Sequence, residues 1–197
     1  MSTLTEASAR EKELNSMSMI TTTVVLVIVT ATFAALIAVF FVRAQKNEFW
    51  QHIEIPQILW ATTGVLLASS ATLEAARRKL LKHDRAAFFR LTAWTTGLAT
   101  FFLIGQLAAW FQILHSGAVL KYNPHSWFVF LFSGLHGMHI VLGLAGLGYL
   151  LYRTRQAASG PRYQMKTRVV ANGVSIFWHY LDFLWIVLFG LLALWRR

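Results

Sequence analysis

The chain has 197 residues, of which 56% are hydrophobic and only 13% charged, and its formal net charge is +10. A soluble domain would carry about 25% charged residues, and the basic residues lie in short segments between apolar runs, where they orient membrane spans rather than bind nucleic acid. The absence of cysteine excludes disulfides, thiolate metal sites and iron–sulfur clusters.

Five apolar runs are each long enough to cross a bilayer. The first is too long for a signal-peptide core and is interpreted as a permanent span. The sequence therefore predicts an all-α integral membrane protein, a bundle of five transmembrane helices without a soluble domain. After a polar tail at residues 1–18, the spans are predicted at about 19–42, 55–76, 89–113, 127–152 and 174–195.

Lys and Arg are unequally divided between the two sides of this arrangement. The tail and the second and fourth loops, which share one side, hold thirteen of the 18. The positive-inside rule then predicts a cytoplasmic N-terminus and an external C-terminus. Bases at the ends of spans two to five also suit phospholipid head groups. Candidates for setting topology or contacting head groups are Arg77, Arg78, Lys79, Arg153, Arg155 and Arg168.

Span two carries three hydroxyl side chains, which can bond along their own helix or across to a neighbour. They belong to Ser69, Ser70 and Thr72. Glu74 ends the span beside Arg77 and Arg78 and is expected to form an interfacial salt bridge. Span three has Gln106 as its one strongly polar interior residue.

Spans four and five bring four potential donors to membrane depth, His136 with His139 and His179 with Asp182, each pair spaced i, i+3 on one helix face. These groups could ligate a metal or haem, or take part in a proton path. The simpler interpretation is interhelical packing, with Asp182 accepting a hydrogen bond from another helix. The two histidines of span four are too close to bind opposite faces of one haem, and one acid cannot form a path across the bilayer.

The other histidines and the tryptophans complete the polar inventory. His52, His83, His115 and His125 are expected in or near loops. Trp50, Trp127 and Trp195 are expected to anchor the spans at the interfaces, and Trp178 and Trp185, seven residues apart, to pack in the core.

Four motifs in spans two to five resemble subunit III of the haem-copper terminal oxidases, the cytochrome c and quinol oxidase family. Trp178-His179-Tyr180-Leu181-Asp182 with Trp185 is similar to that family's Trp-His-Phe-Val-Asp segment and its downstream Trp. Gly134-Leu135-His136-Gly137-Met138-His139 is similar to its Gly-Phe-His-Gly-Leu-His. Ser69-Ser70-Ala71-Thr72 and Gly105-Gln106 match its Ser-Ser-x-Thr and the Gln that ends a helix. The length resembles the short five-helix bacterial form.

The resemblance implies an accessory, non-catalytic subunit in a bacterial cytoplasmic membrane. Family members carry no haem or copper themselves, pack against catalytic subunit I beside subunit II, bind phospholipid and are thought to support proton uptake and stability. On this view the haem and copper belong to partner subunits, and the polar residues of spans two to five serve helix contacts, lipid binding or proton uptake.

Two departures from the family pattern bear on proton uptake. The family often has a carboxylate in the helix corresponding to span one, but residues 28–33 hold none, and Ala109 stands where a Glu is common. Two other interpretations remain open: the related small membrane protein that accompanies nitric oxide reductases, and a free-standing membrane metalloenzyme built on the His and Asp residues.

Overall fold

The computed structural model describes residues 2–46, 56–115, 124–156 and 161–194. This part of the chain forms five helices, each long and apolar enough to cross a membrane. The prediction of an all-helical protein with five spans is therefore confirmed. The helices are α1 Ser2–Lys46, α2 Gln57–Leu81, α3 Arg85–His115, α4 Pro124–Arg155 and α5 Pro161–Leu194.

Helix starts coincide with the three prolines of the sequence. Pro124 and Pro161 are the first residues of α4 and α5, and Pro56 is the N-cap of α2. Proline suits the first turn because its fixed φ is helical and because the amide hydrogen that it lacks would have no partner there. Most helices extend beyond the apolar runs, and α1 begins at Ser2, within the polar tail.

The connection between α2 and α3 is a tight turn. His83 has a positive φ of 61°, and Asp84 accepts a hydrogen bond from the Ala87 amide, with 3.0 Å between Oδ1 and N. An Asp that accepts from a first-turn amide satisfies one of the free donors at a helix N-terminus. The turn therefore stops α2 and starts α3 within three residues.

Helices α2 to α5 close a ring. Helix α2 packs against α3 and α5, and α4 packs against the same two helices. The core inside the ring is apolar and aromatic, with Leu66, Phe102, Ile140 and Trp178 all at most 1% exposed. Helix α1 lies outside the ring, against α5 and α4.

Aromatic contacts hold α1 on the ring. The Phe40 ring lies 5.2 Å from that of Phe128 and 5.9 Å from that of Phe132, measured between centroids. Phe33 and Phe40 are both fully buried. The hydroxyls of Thr30 and Tyr180 add a bond of 2.6 Å between α1 and α5.

Candidate functional site

Two tryptophans of α5 donate hydrogen bonds to hydroxyls of α2. Trp178 Nε1 lies 3.1 Å from Ser69 Oγ, and Trp185 Nε1 lies 3.0 Å from Thr63 Oγ1. Both indoles are buried, as predicted, and they are two helical turns apart, so they reach α2 at two levels. We call this contact line between α2 and α5 the polar seam.

His179 and Asp182 lie on the same seam near the midpoint of α2. Ser70 Oγ is 2.5 Å from His179 Nδ1. Asp182 is only 4% exposed, yet neither of its oxygens has a partner with hydrogen-bond geometry among the described residues. Asp182 is therefore the one acid that the ring places deep in the membrane without an ion pair in the described part of the chain.

Further hydroxyl bonds join the remaining sides of the ring. Thr72 and Thr95 bond between α2 and α3, with 2.9 Å between their oxygens. Trp110 Nε1 donates to Ser133 Oγ at 2.9 Å between α3 and α4. Thr63, Trp110 and Ser133 were not singled out from the sequence. A hydroxyl or an indole in an apolar run does not reveal its partner, because the rotation of the two helices decides which side chains meet.

Gln106 on α3 and His136 on α4 are both buried polar side chains. Their side chains are almost fully buried, and their polar atoms make no hydrogen bond within the described ranges. The His136 ring stacks on Trp185 at 4.9 Å and meets Phe102 edge-on at 6.2 Å, between centroids. His136 is thus held between the rings of Trp185 and Phe102.

His139 serves a different contact, although it follows His136 by one turn. Its Nδ1 donates to the Leu135 carbonyl at 2.6 Å, and its ring lies 5.7 Å from that of Phe33 on α1. In the described residues no three His, Cys, Asp or Glu side chains come together as a metal site. The four donors predicted as alternatives for metal ligation are therefore divided between the seam, the core and the α1 contact.

Charged side chains gather at the end of the ring where α2 and α4 finish. Glu74 pairs with Arg78 at 3.1 Å and with Arg77 at 3.5 Å, which confirms the predicted salt bridge. Lys79 Nζ lies 3.9 Å from Asp84 Oδ2. Three more basic side chains contact this end: Arg153 bonds Tyr149, Arg155 lies over Phe89, and Arg168 reaches His83.

The predicted loop histidines and interfacial tryptophans are only partly covered by the described ranges. His83 lies in the α2–α3 turn and His115 is the last residue of α3. His125 is close to a helix start, as expected, but it is fully buried and packs near Phe40, which its position in the sequence did not indicate. Trp127 is 65% exposed. His52, Trp50 and Trp195 lie outside the described residues.

The fold and these contacts define a multi-pass helical membrane protein whose polar groups at membrane depth lie mainly between helices. The family model "Cytochrome c oxidase subunit III" matches residues 48–197. The chain therefore belongs to the cytochrome c oxidase subunit III family, whose members are accessory subunits of haem-copper oxidases.

Curated relatives agree with this membership. The chain is 31% identical over 165 residues to the probable cytochrome c oxidase subunit 3 of Nocardia farcinica, covering 80% of this chain and 78% of that protein. It is 30% identical to the Mycobacterium leprae protein of the same description, with 80% and 77% coverage. The cytochrome c oxidase subunit 3 of Synechocystis is 25% identical, with 86% and 72% coverage.

Proposed function

We propose that this chain is the accessory subunit, without a redox centre of its own, of a respiratory haem-copper oxidase that reduces oxygen to water and translocates protons. It would lie in a bacterial cytoplasmic membrane against subunit I, in a complex that also contains subunit II and the haem and copper. The observation that carries the proposal is the family match, which spans α2 to α5. The bacterial relatives support the location.

A structural role fits the way the membrane-depth polar groups are arranged. The hydroxyl and indole groups of the seam bond to other helices of this chain, as do those between α2, α3 and α4. Such bonds fix which helix faces meet, because an unpaired polar group in hydrocarbon is costly. A subunit with these bonds would present a rigid lateral surface to its neighbours.

Phospholipid binding is the second part of the proposal, at the basic end of the ring. The ends of α2 and α4 and the starts of α3 and α5 place arginines from separate helices there. Arg78 and Arg155 are exposed, so their guanidinium groups can contact phosphate. Native mass spectrometry of the complex should detect bound anionic phospholipid, and R78E/R155E should lose it, whereas the acyl-facing change Leu107→Val on α3 should retain it.

Support of proton uptake is the third part, and in this chain it would depend on few groups. Ala109 is fully buried where the family often has a Glu, and residues 28–33 hold no acid. Among the described residues, Asp182 is the remaining carboxyl at membrane depth. We therefore expect any effect of this subunit on proton uptake to arise from its contact with the catalytic subunit rather than from a relay of its own acids.

The test is purification of the tagged chain from its native membrane in mild detergent, followed by a reduced-minus-oxidised spectrum. Haem that co-purifies in a large multi-span partner, together with oxygen consumption, is the expected result. Haem with nitric oxide reduction would instead assign the chain to a nitric oxide reductase. A chain that comes alone and carries its own metal would contradict the proposal and favour a free-standing metalloenzyme.

A further inference from the structure

Two polar side chains inside the ring have hydrogen-bonding atoms that no described residue satisfies. Gln106 on α3 is 4% exposed and His136 on α4 is 0% exposed. Neither atom of the Gln106 amide and neither ring nitrogen of His136 makes a hydrogen bond within the described ranges. Burial of such groups is costly without a partner, and no bulk water reaches them in the hydrocarbon region. We therefore looked for what these four atoms could bind.

The contacts between α3 and α4 place the two side chains close together. Trp110 donates a hydrogen bond to Ser133, and Phe102 meets the His136 ring edge-on, with 6.2 Å between the centroids. The two helices are antiparallel, since the earlier residue of α3 contacts the later residue of α4. Gln106 is one turn from both Phe102 and Trp110 and shares their face of α3. It therefore lies between the levels of Ser133 and His136 on α4.

Two glycines of α4 leave room at this level because they face α3 without a side chain. A Cβ built on Gly137 would come no nearer to another side chain than 3.8 Å, from Leu103. A Cβ built on Gly134 would come within 3.3 Å of the Trp110 indole, which closes that side. Gly134 and Gly137 flank His136 in the sequence. The space beside the imidazole is therefore small and walled by an aromatic ring.

The polar atoms of the two side chains complement a water molecule better than an ion. The amide of Gln106 offers an acceptor and two N–H donors, and a neutral His136 imidazole offers one donor and one acceptor. A buried water makes about three hydrogen bonds, both donating and accepting. A metal ion is not favoured, because no three His, Cys, Asp or Glu side chains come together in the described part of the chain.

We infer that an ordered water molecule binds between the Gln106 amide and the His136 imidazole and bridges α3 to α4 inside the ring. A bridging water is nearly as favourable in enthalpy as a direct hydrogen bond. The bridge would lie next to the Trp110–Ser133 bond and would join the same two helices. This site is independent of the proposed function, because it is formed by side chains of this chain alone.

X-ray radiolysis of the tagged chain, purified with its native partners, detects such a water, because hydroxyl radicals formed from it oxidise the side chains beside it. Phe102, next to the site, and Phe40, packed against Phe128, are a matched pair that are both 0% exposed. We expect mass spectrometry to find Phe102 oxidised several-fold faster than Phe40. The double variant Gln106→Met/His136→Phe should lower the Phe102 rate to that of Phe40. Equal rates in the wild type would overturn the inference, as would fast oxidation of Phe102 that persists in the double variant.

Unfolding of the full chain in detergent measures whether the two side chains act together. Gln106→Met and His136→Phe keep an unbranched chain and a flat ring, respectively, and each removes one side of the bridge. We expect each to raise the unfolding equilibrium constant by about fivefold, and the double variant to raise it by less than the product of the two. Leu103→Met, at a half-buried position of the same helix, is the control and should stay close to wild type.

Two outcomes of the unfolding measurement would contradict the bridge. If either single variant were as stable as the wild type or more stable, its polar atoms would have no partner to lose. If the variants were coupled but Phe102 were not oxidised, Gln106 and His136 would bond to each other directly. The radiolysis of the wild type needs no variant, so a variant that fails to fold does not prevent the test. Recovery of haem with the chain tests the proposed function separately.

Discussion

At the residue scale, the indole–hydroxyl bonds determine how α5 sits on α2. Trp178 and Trp185 each donate to a hydroxyl on α2, and their buried rings supply much of the contact in the core. A single interhelical hydrogen bond in a membrane is worth about 0.6 kcal/mol. Burial of an unpaired donor costs more, about 1–3 kcal/mol, so the bonds specify the rotation of α5 more than they strengthen the contact.

Removing the acceptor of Trp178 should therefore destabilise the chain. Ser69→Ala leaves Nε1 buried without a partner, and we expect the unfolding free energy in detergent to fall by about 1 kcal/mol. Trp178→Phe in the Ser69→Ala background should cost less than Trp178→Phe alone, since the bond is already lost. Denaturant titration of the wild type, the two single variants and the double variant measures the coupling energy between Ser69 and Trp178.

The control for the tryptophan change is Trp94→Phe. Trp94 is 68% exposed on the outer face of α3, so its loss should change the unfolding free energy by less than about 0.5 kcal/mol. If the changes in unfolding free energy of Ser69→Ala and Trp178→Phe were simply additive, the hydrogen bond between the two residues would contribute nothing to stability. The seam would then be held by apolar packing.

Asp182 allows the structural and proton-conducting roles to be separated. Asp182→Asn keeps the shape of the side chain and removes an acid that lacks an ion pair, so we expect assembly and thermal stability to be equal to or above wild type. Asp182→Ala removes most of a buried side chain and leaves a cavity, so it should harm assembly. Proton translocation per electron should be unchanged in Asp182→Asn, as measured by oxygen pulses on cells or vesicles.

Glu74→Gln is the matched control, because it removes a carboxylate that has two ion pairs near the end of α2. Such partly exposed ion pairs contribute about 0–1 kcal/mol to the free energy of unfolding, so we expect Glu74→Gln to lose only a little stability. Normal assembly of Asp182→Asn with lost proton translocation would show that Asp182 has a proton-conducting role.

Residue-level predictions from the sequence succeeded where the partner was local. Glu74 lies three and four residues from its arginines on one helix, so its salt bridges depend on helical spacing alone. The burial of Trp178 and Trp185 likewise agrees with their seven-residue spacing, which places both on one face of α5. The pairing of Ser70 with His179, 109 residues away, depends on how two helices are rotated, which periodicity does not encode.

At the element scale, α2 and α3 approach closely at one crossing point. Gly105 faces Thr62, and a Cβ at position 105 would clash with the Thr62 methyl group. A β-branched side chain in a helix has little freedom to turn away. Gly105→Ala should therefore lower the unfolding free energy by roughly 1–3 kcal/mol, the usual cost of overpacking, as measured by thermal or denaturant unfolding in detergent.

Two further variants distinguish a clash from a general effect of alanine. Gly97→Ala, on the same helix but with open space at its Cβ, should be neutral or slightly stabilising because alanine is the better helix former. Thr62→Ser removes the methyl group and keeps the hydroxyl, so it should restore most of the stability of Gly105→Ala. Without that rescue, the crossing point would not be limited by Thr62.

The existence of each helix could be predicted from the sequence, because a run of about 20 apolar residues is sufficient evidence for a span. The exact ends of the helices could not be predicted in this way. Helix α5 begins at Pro161, well before the membrane span predicted at 174–195, because the basic residues that precede the apolar run continue the same helix. Polar segments next to a span carry no hydropathy signal of their own.

At the scale of the whole molecule, the ring has one strongly basic end. The end of α2 and the start of α3 meet the end of α4 and the start of α5 there, with Arg155 over Phe89 and Arg168 beside His83. The sequence predicted that these segments share a side of the membrane, since successive spans must alternate in direction. The order of helices around the ring could not be predicted, because each span has apolar residues on most of its surface.

The orientation of the ring can be measured directly because the chain contains no cysteine. The positive-inside rule places the basic end in the cytoplasm. We therefore expect Lys82→Cys and Gln156→Cys, exposed at the basic end, to react with a membrane-impermeant maleimide only after permeabilisation. Gln57→Cys and His115→Cys, exposed at the opposite end, should react in intact spheroplasts. The reverse pattern would place the N-terminus outside and remove the basis for phospholipid binding from the cytoplasmic leaflet.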